Sequence, residues 1–177
     1  MRPPVAPIPR EAVFMRPMHD DKLLSRSDLL ARRADCKRHG QTVVFTNGCF
    51  DVLHRGHVEY LQQARTLGDI LVVGLNGDQS VRQVKGPGRP LVPVEDRAAI
   101  LCALTDVDYV TIFPEASVES LVAAVLPDVL VKGGDYSLET VVGRQVVEAA
   151  GGKVAILCHV PGRSTSALVT DLEGGGQ

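Results

Sequence analysis

Five short runs rich in Val, Leu and Ile, each parted from the next by a stretch of helical character, leave this chain few folds to choose from. The runs are Thr42–Thr46, Asp69–Leu75, Val107–Phe113, Asp128–Val131 and Lys153–Cys158. Thr42–Thr46 is apolar on both faces instead of alternating, as a strand covered from both sides must be. Helices are predicted at about His57–Leu67, Asp78–Val84, Val94–Leu104, Ser117–Leu126 and Val142–Ala150, with Gly68, Pro127 and Gly151 as stops. A further helix, capped by Ser27 and reaching about His39 before Gly40, is expected ahead of the first strand. The alternation predicts an α/β fold: a Rossmann-like, doubly wound sandwich with a five-stranded parallel sheet in a single domain. Its crossovers should be right-handed and its ligand crevice should open at the carboxyl ends of the strands. Chemistry is therefore sought in the loops that follow strands.

The rest of the chain is parcelled around that core. Five of the eleven prolines fall in residues 1–20, which are expected to form a disordered arm. Residues 21–40 should carry the N-terminal helix, residues 41–170 the domain that does the work, and residues 171–177 a flexible tail. Up to residue 40 there are nine Lys/Arg against five Asp/Glu, and beyond it ten against sixteen. With a net charge of −2, 4% aromatics and no Trp, the chain lacks both the basic footprint and the stacking platforms of a nucleic-acid binder. No apolar stretch approaches the ~20 residues of a membrane span and no signal-peptide pattern opens the chain. Cys36, Cys49, Cys102 and Cys158 form no CxxC pair and read as reduced, structural thiols. Small-molecule partners and a cytoplasmic setting are the expectation.

Four segments stand where such a fold places ligand contacts. After the first strand comes Thr46-Asn-Gly-Cys-Phe-Asp-Val-Leu-His-Arg-Gly-His57. Gly48 permits a sharp turn, Gly56 leaves room at a helix start where free N–H groups favour phosphate, and His54 and His57 can both address one anion. Lys85-Gly-Pro-Gly-Arg-Pro90 sets two cations in an irregular loop, which would suit a triphosphate clamp and equally a solvated surface loop. Lys132-Gly133-Gly-Asp135-Tyr136 closes the fourth strand, either as ligand contacts or as a turn with a capping acid. Gly162-Arg163-Ser164-Thr165-Ser166 reads as a helix cap with more hydroxyls than a cap needs.

Together these segments resemble the HxGH nucleotidyltransferase superfamily, which is cytidylyltransferase-like. His54-Arg-Gly-His57 is the signature, and Gly162–Ser166 is similar to the superfamily's second, hydroxyl-rich one, with Ser166 in the last place. Over about Val43–Leu168 the chain is most similar to the adenylyltransferase domains of ADP-heptose synthases, the Lys132–Tyr136 run above all. The resemblance implies transfer of the adenylyl group of ATP to a sugar 1-phosphate, D-glycero-D-manno-heptose 1-phosphate in the first instance, with release of pyrophosphate. It assigns catalysis to His54, His57 and Lys85. Nucleotide binding falls to Thr46, Asn47, Gly48, Phe50, Asp51, Gly56, Arg89, Arg163, Ser164, Thr165 and Ser166, and substrate binding to Lys132, Gly133, Asp135 and Tyr136. Mg²⁺ would arrive with the ATP, held by phosphate oxygens and water with no dedicated protein site. A homodimer and a separate sugar kinase acting upstream are further implications. A cytidylyltransferase for glycerol 3-phosphate or another phospho-alcohol, and a non-catalytic nucleotide-binding module, are the alternatives.

Overall fold

A computed structural model describes residues 21–134 and 137–157 of the protein. The strands are β1 (Val43–Gly48), β2 (Ile70–Asn76), β3 (Tyr109–Phe113), β4 (Val129–Gly133) and β5 (Lys153–Leu157). All neighbours pair in parallel, in the order β3-β2-β1-β4-β5. The chain winds outward from β1 to β3, then returns to the other side of β1 for β4 and β5. Strand order therefore reverses between β1 and β4, and the two segments leaving their carboxyl ends must part there, opening a crevice.

Helices α1 (Arg26–Arg38), α2 (Arg55–Arg65), α3 (Asp78–Lys85), α4 (Val94–Ala103), α5 (Glu119–Val125) and α6 (Arg144–Ala149) complete the described residues, with one 3₁₀ turn at Leu138–Thr140. Alternation along each strand sorts the core into two layers. Val43 and Phe45 of β1, Val72 of β2 and Leu130 of β4 face Leu29 of α1, Leu121 and Val125 of α5 and Val147 of α6. Val44, Leu71, Val73 and Val131 face Leu61 and Ala64 of α2 and Ala98 and Leu101 of α4. Burying a Val or Leu side chain contributes ~1.5–3 kcal/mol, so these two layers supply most of the driving force for folding.

Aspartates fix the amino ends of the strands. Thr42 N–H donates to Asp69 Oδ2 at 2.8 Å, Val43 N–H to Asp128 Oδ2 at 2.7 Å and Leu71 N–H to Asp108 Oδ2 at 2.8 Å. Each bond ties one strand's start to the segment leading into its neighbour. These carboxylates anchor the amino ends of the strands, opposite the carboxyl ends where the crevice opens.

Several boundaries move from their expected positions for local reasons. The cap of α1 is Ser25 and not Ser27, because Ser25 Oγ accepts Asp28 N–H at 3.1 Å and also bonds the Asp28 carboxylate at 2.6 Å. Residues just before it run beside β3, with Leu24 N–H bonding Val110 O and Val110 N–H bonding Lys22 O, both at 2.8 Å. Helix α2 starts at Arg55 rather than His57, since His54 is its cap. Helix α6 starts at Arg144, after Gly143 at φ +87°. The expected arm 1–20, Cys158 and the tail 171–177 lie outside the described residues.

Candidate active site

A crevice of about 520 Å³ opens over the carboxyl ends of β1 and β4, within the size range of small-molecule sites. Asn47, Gly48, Cys49, Phe50 and Asp51 line one wall, Gly56, His57 and Tyr60 of α2 the next, Lys132 and Gly133 the β4 side, and Asn76 and Lys85 the β2 side. Ala116, Ser117 and Val118, after β3, and Thr140 and Val142, after β4, complete it.

The histidines are organised by the start of α2. His54 Nδ1 accepts Gly56 N–H at 3.1 Å, and His54 N–H donates to His57 Nδ1 at 3.4 Å. Both Nδ1 atoms act as acceptors, which leaves Nε2 as the nitrogen of each ring able to donate outward. The ring centroids lie 4.0 Å apart, and Phe50 adds a third ring 5.3 Å from that of His57. Both rings take part in the cap, a reciprocal box in which His54 Nδ1 accepts Gly56 N–H and His57 Nδ1 accepts His54 N–H, and His57 also lines the crevice. The amino end of α2 lies beside His57, adding its partial positive charge.

Across the gap, Lys132 Nζ donates to Asn47 Oδ1 at 2.6 Å, bridging β4 to β1 at the point where strand order reverses. Burial pushes the Lys132 ammonium down to about 8 from 10.5, an effect that the Cys49 thiol beside it opposes. Below it, Tyr60 OH donates to Val131 O at 3.3 Å and meets Thr46 Oγ1 at 2.6 Å. Thr46 is fully buried, so its hydroxyl, expected at the nucleotide, supports Tyr60 instead. The Tyr60 ring also explains Gly133: a Cβ there would stand 2.8 Å from Tyr60 Cε2. Burial raises the Cys49 thiol, which keeps it protonated and unreactive at neutral pH.

On the β2 side Lys85 ends α3, exposed and facing the crevice. Arg89 and Asp51, both expected at the nucleotide, pair with one another at 2.7 Å between Nε and Oδ2. The angle makes that contact coulombic rather than a directed hydrogen bond. Arg97, 1% exposed, bonds the carbonyls of Cys49, Asn76 and Val92 and the Asp78 carboxylate. One guanidinium thereby joins the ends of β1 and β2 to the start of α4. Asp135, Tyr136 and the Arg163–Ser166 run lie outside the described residues.

Sequence reasoning passed over Tyr60, Arg97, Ser117, Val118, Thr140 and Val142, and signals existed for three of them. Tyr60 stands one turn after His57 and so shares its face. Arg97 falls four residues before Leu101, on the apolar face of its helix, where a charge has to find partners. Ser117 follows a strand end. Nothing in the local pattern points to Val118, Thr140 or Val142.

Comparison with known proteins gives a consistent result. The cytidylyltransferase-like family model matches residues 45–161. The Bifunctional protein HldE of Syntrophotalea carbinolica is 52% identical over 151 residues, covering 85% of this chain and 31% of that protein. That of Pseudomonas fluorescens is 51% identical over 164 residues, covering 93% and 35%. The chain thus spans about a third of the length of these relatives. Among solved structures, the lipopolysaccharide core biosynthesis protein from Thermoplasma volcanium is 28% identical with a TM-score of 0.57, covering 68% of this chain and 98% of that one. Pantothenate synthetase from Thermus thermophilus is similar in fold, with a TM-score of 0.56 at 19% identity over 78% of this chain and 62% of its own. With the strand order, the histidine loop and these matches in agreement, the chain belongs to the cytidylyltransferase-like family and is an enzyme of the nucleotidyltransferase kind.

Proposed function

We propose that the chain transfers the adenylyl group of ATP to the phosphate of a sugar 1-phosphate, D-glycero-D-manno-heptose 1-phosphate in the first instance, releasing pyrophosphate. The observation that carries the reading is the convergence of His57, Lys132 and Lys85, from three separate elements, on one crevice beside a helix amino end. The similarity to HldE proteins and to a lipopolysaccharide core biosynthesis protein supports a sugar phosphate as acceptor.

In this reading an acceptor phosphate oxygen attacks the α-phosphorus, and the bond from that phosphorus to the β-phosphate bridging oxygen breaks. No covalent enzyme intermediate is required, so the protein's task is to align the two phosphates and to stabilise charge as it moves to the leaving group. His57 Nε2–H donates toward the α-phosphate, and His54 holds the helix start that aims it. Lys132 and Asn47 take a phosphate at the point where strand order reverses. Gly48, Phe50 and Gly56 bring backbone close to the nucleotide, and Gly133 does so on the acceptor side. Lys85 reaches the triphosphate from the β2 side.

Among the described residues no group of three or more His, Cys, Asp or Glu comes together as a metal cage. An Mg²⁺ would be carried on the triphosphate, held by phosphate oxygens and water, where it would neutralise phosphate charge and orient the leaving group. The acceptor has to be supplied by a kinase-type reaction on a sugar, in the cytoplasm where ATP is at hand. A homodimer belongs to the same proposal.

A pyrophosphate-release assay, with each nucleoside triphosphate against a panel of sugar and alcohol phosphates, tests the reading. ATP with heptose 1-phosphate should give the highest kcat/KM. A tenfold preference for CTP with glycerol 3-phosphate, worth about 1.4 kcal/mol, would replace it with cytidylyl transfer to a phospho-alcohol.

A further inference from the structure

The segment joining α3 to α4 carries two cations that the structure uses differently. Lys85, on the last turn of α3, faces the crevice. Arg89 turns instead to Asp51, with Nε 2.7 Å from Oδ2 and side-chain exposures of 17% and 1%. Asp51 Oδ1 accepts the backbone N–H of Leu91 at 2.7 Å and of Val92 at 3.0 Å. Val92 O accepts from Arg97 Nε at 2.9 Å, and Arg97 also holds the Cys49 carbonyl. The later part of the segment is therefore tied to the loop after β1 by a buried carboxylate and a buried guanidinium.

The nearer part is built differently. Gly86 and Gly88 have φ of +89° and +84°, and a Cβ added at either would meet nothing within 4 Å. Glycine is there for backbone freedom and not for space. Between Lys85 and the peg at Asp51 the segment passes through two glycines with positive φ, and the buried Asp51 contact fixes its far end.

We propose that Asp51 and Arg89 are positioning residues: the buried carboxylate pegs the 86–92 segment to the β1 loop and thereby sets the reach of Lys85 over the crevice, while Arg89 completes the peg and does not bind nucleotide. Removing Arg89 leaves a buried carboxylate short of a cation, and removing the Asp51 charge releases Arg89 to solvent. Both changes loosen the same joint. Their effects on ligand must then overlap, and must act through Lys85. Only this last step rests on the reading of the crevice as a nucleotide site.

The test compares Asp51→Asn, which keeps an oxygen for Leu91 and Val92 while removing the charge, with Arg89→Ala, the double variant, and Asp51→Asn combined with Lys85→Met. Two quantities are read on the full chain: amide hydrogen exchange at Leu91 and Val92 without ligand, and affinity for MgATP by calorimetry. Each single variant should speed exchange at both amides and weaken MgATP by a similar factor of about 5–20, with the double variant within about twofold of either. Asp51→Asn should weaken MgATP no further once Lys85 is Met. Arg89→Lys should restore part of the loss. A loss of affinity in Arg89→Ala alone, or multiplying effects in the double variant, would make Arg89 a nucleotide ligand and overturn the proposal. Faster exchange in both variants with no MgATP binding by the wild-type chain would keep the peg and remove the nucleotide reading. Wild-type MgATP binding with unchanged exchange in the variants would remove the peg alone.

Discussion

The floor of the crevice and its β2-side rim each present a lysine, and they are built on opposite plans. Lys132, on the floor, is half-buried, stands next to last in β4 beside the central strand β1, and is held by Asn47 at 2.6 Å. Around it Tyr60, Thr46 and Gly133 interlock, so little can move without breaking a buried contact. Lys85, on the rim, ends an eight-residue helix, is exposed, and is followed by two glycines in left-handed conformations. The floor is arranged before any ligand arrives and bears the cost of desolvating a cation to achieve it. Groups that act on charge developing in a transition state benefit from being fixed and partly dry, whereas groups that capture a flexible polyphosphate benefit from reach. The floor should therefore govern kcat, and the rim KM.

The largest break in that comparison should come from His57→Ala on the floor side, which is expected to lower kcat by ~10²-fold or more with a smaller change in KM. Circular dichroism should show a folded protein, because His54 still accepts Gly56 N–H at the start of α2 when the His57 half of the capping box is gone. Near wild-type turnover would put His57 outside the chemistry.

Next in size is Lys132→Met, expected to cost ~10–10²-fold, mainly in kcat. The same lysine gives the floor a pH signature. Its ammonium, held down to about 8 by burial, is lost as pH rises through that value, so kcat/KM should fall above about pH 8. A phosphate bound beside it favours the charged form, so the limb in kcat should lie higher. Stability should respond with the opposite sign. Between about 8 and 10.5 the unfolded chain binds the proton that the folded one has released, so this group makes the fold more stable as pH rises there. Lys132→Arg should move the activity limb upward and remove the stability change. A profile flat from pH 7 to 10 in the wild-type enzyme would place Lys132 outside the reaction.

Lys85→Met should be milder, raising KM for ATP by ~10-fold with kcat within a factor of about three. An exposed cation is screened by salt, so this difference should shrink as ionic strength rises from 0.05 to 0.5 M while that of Lys132→Met persists. Equal salt dependence at the two positions would erase the distinction between floor and rim. Smallest of all, Tyr60→Phe removes a hydroxyl shared by Thr46 and Val131 and should cost ~1–2 kcal/mol of stability, read by denaturant titration, with a change in kcat of only a few-fold.

The same division explains what the sequence made legible. Five parallel strands and their helices follow from apolar runs of strand length separated by helical segments, because a strand covered on both faces can be little else. Strand-end logic pointed to Asn47, His57 and Lys132, and the Gly/Pro-rich loop to Lys85, and all four line one crevice. Roles inside the loops were less legible, since they depend on which neighbour a side chain meets across the fold. Asp51 and Arg89 stand 38 positions apart, and nothing in the local pattern signals that they pair. Thr46 is buried, as a strand covered on both faces requires, and its hydroxyl meets Tyr60 across the fold, a neighbour no local pattern names. His54 and His57 look equivalent in HRGH, and the helix that starts between them draws both rings into its capping box while His57 also lines the crevice. Arg97 was passed over although its place on the apolar face with Leu101 was a signal, because a single Arg within a helix ordinarily faces solvent.

The central claim is that this crevice moves the adenylyl group and nothing else of ATP. Its most direct test gives the enzyme ATP labelled at the α-phosphate together with heptose 1-phosphate, and follows the label through one turnover. The account predicts label in a nucleotide-sugar product, unlabelled pyrophosphate and no label on the protein, with the rate reduced ~10²-fold in His57→Ala. Label left in ADP beside a doubly phosphorylated sugar, label in AMP, or label attached to the protein would contradict it.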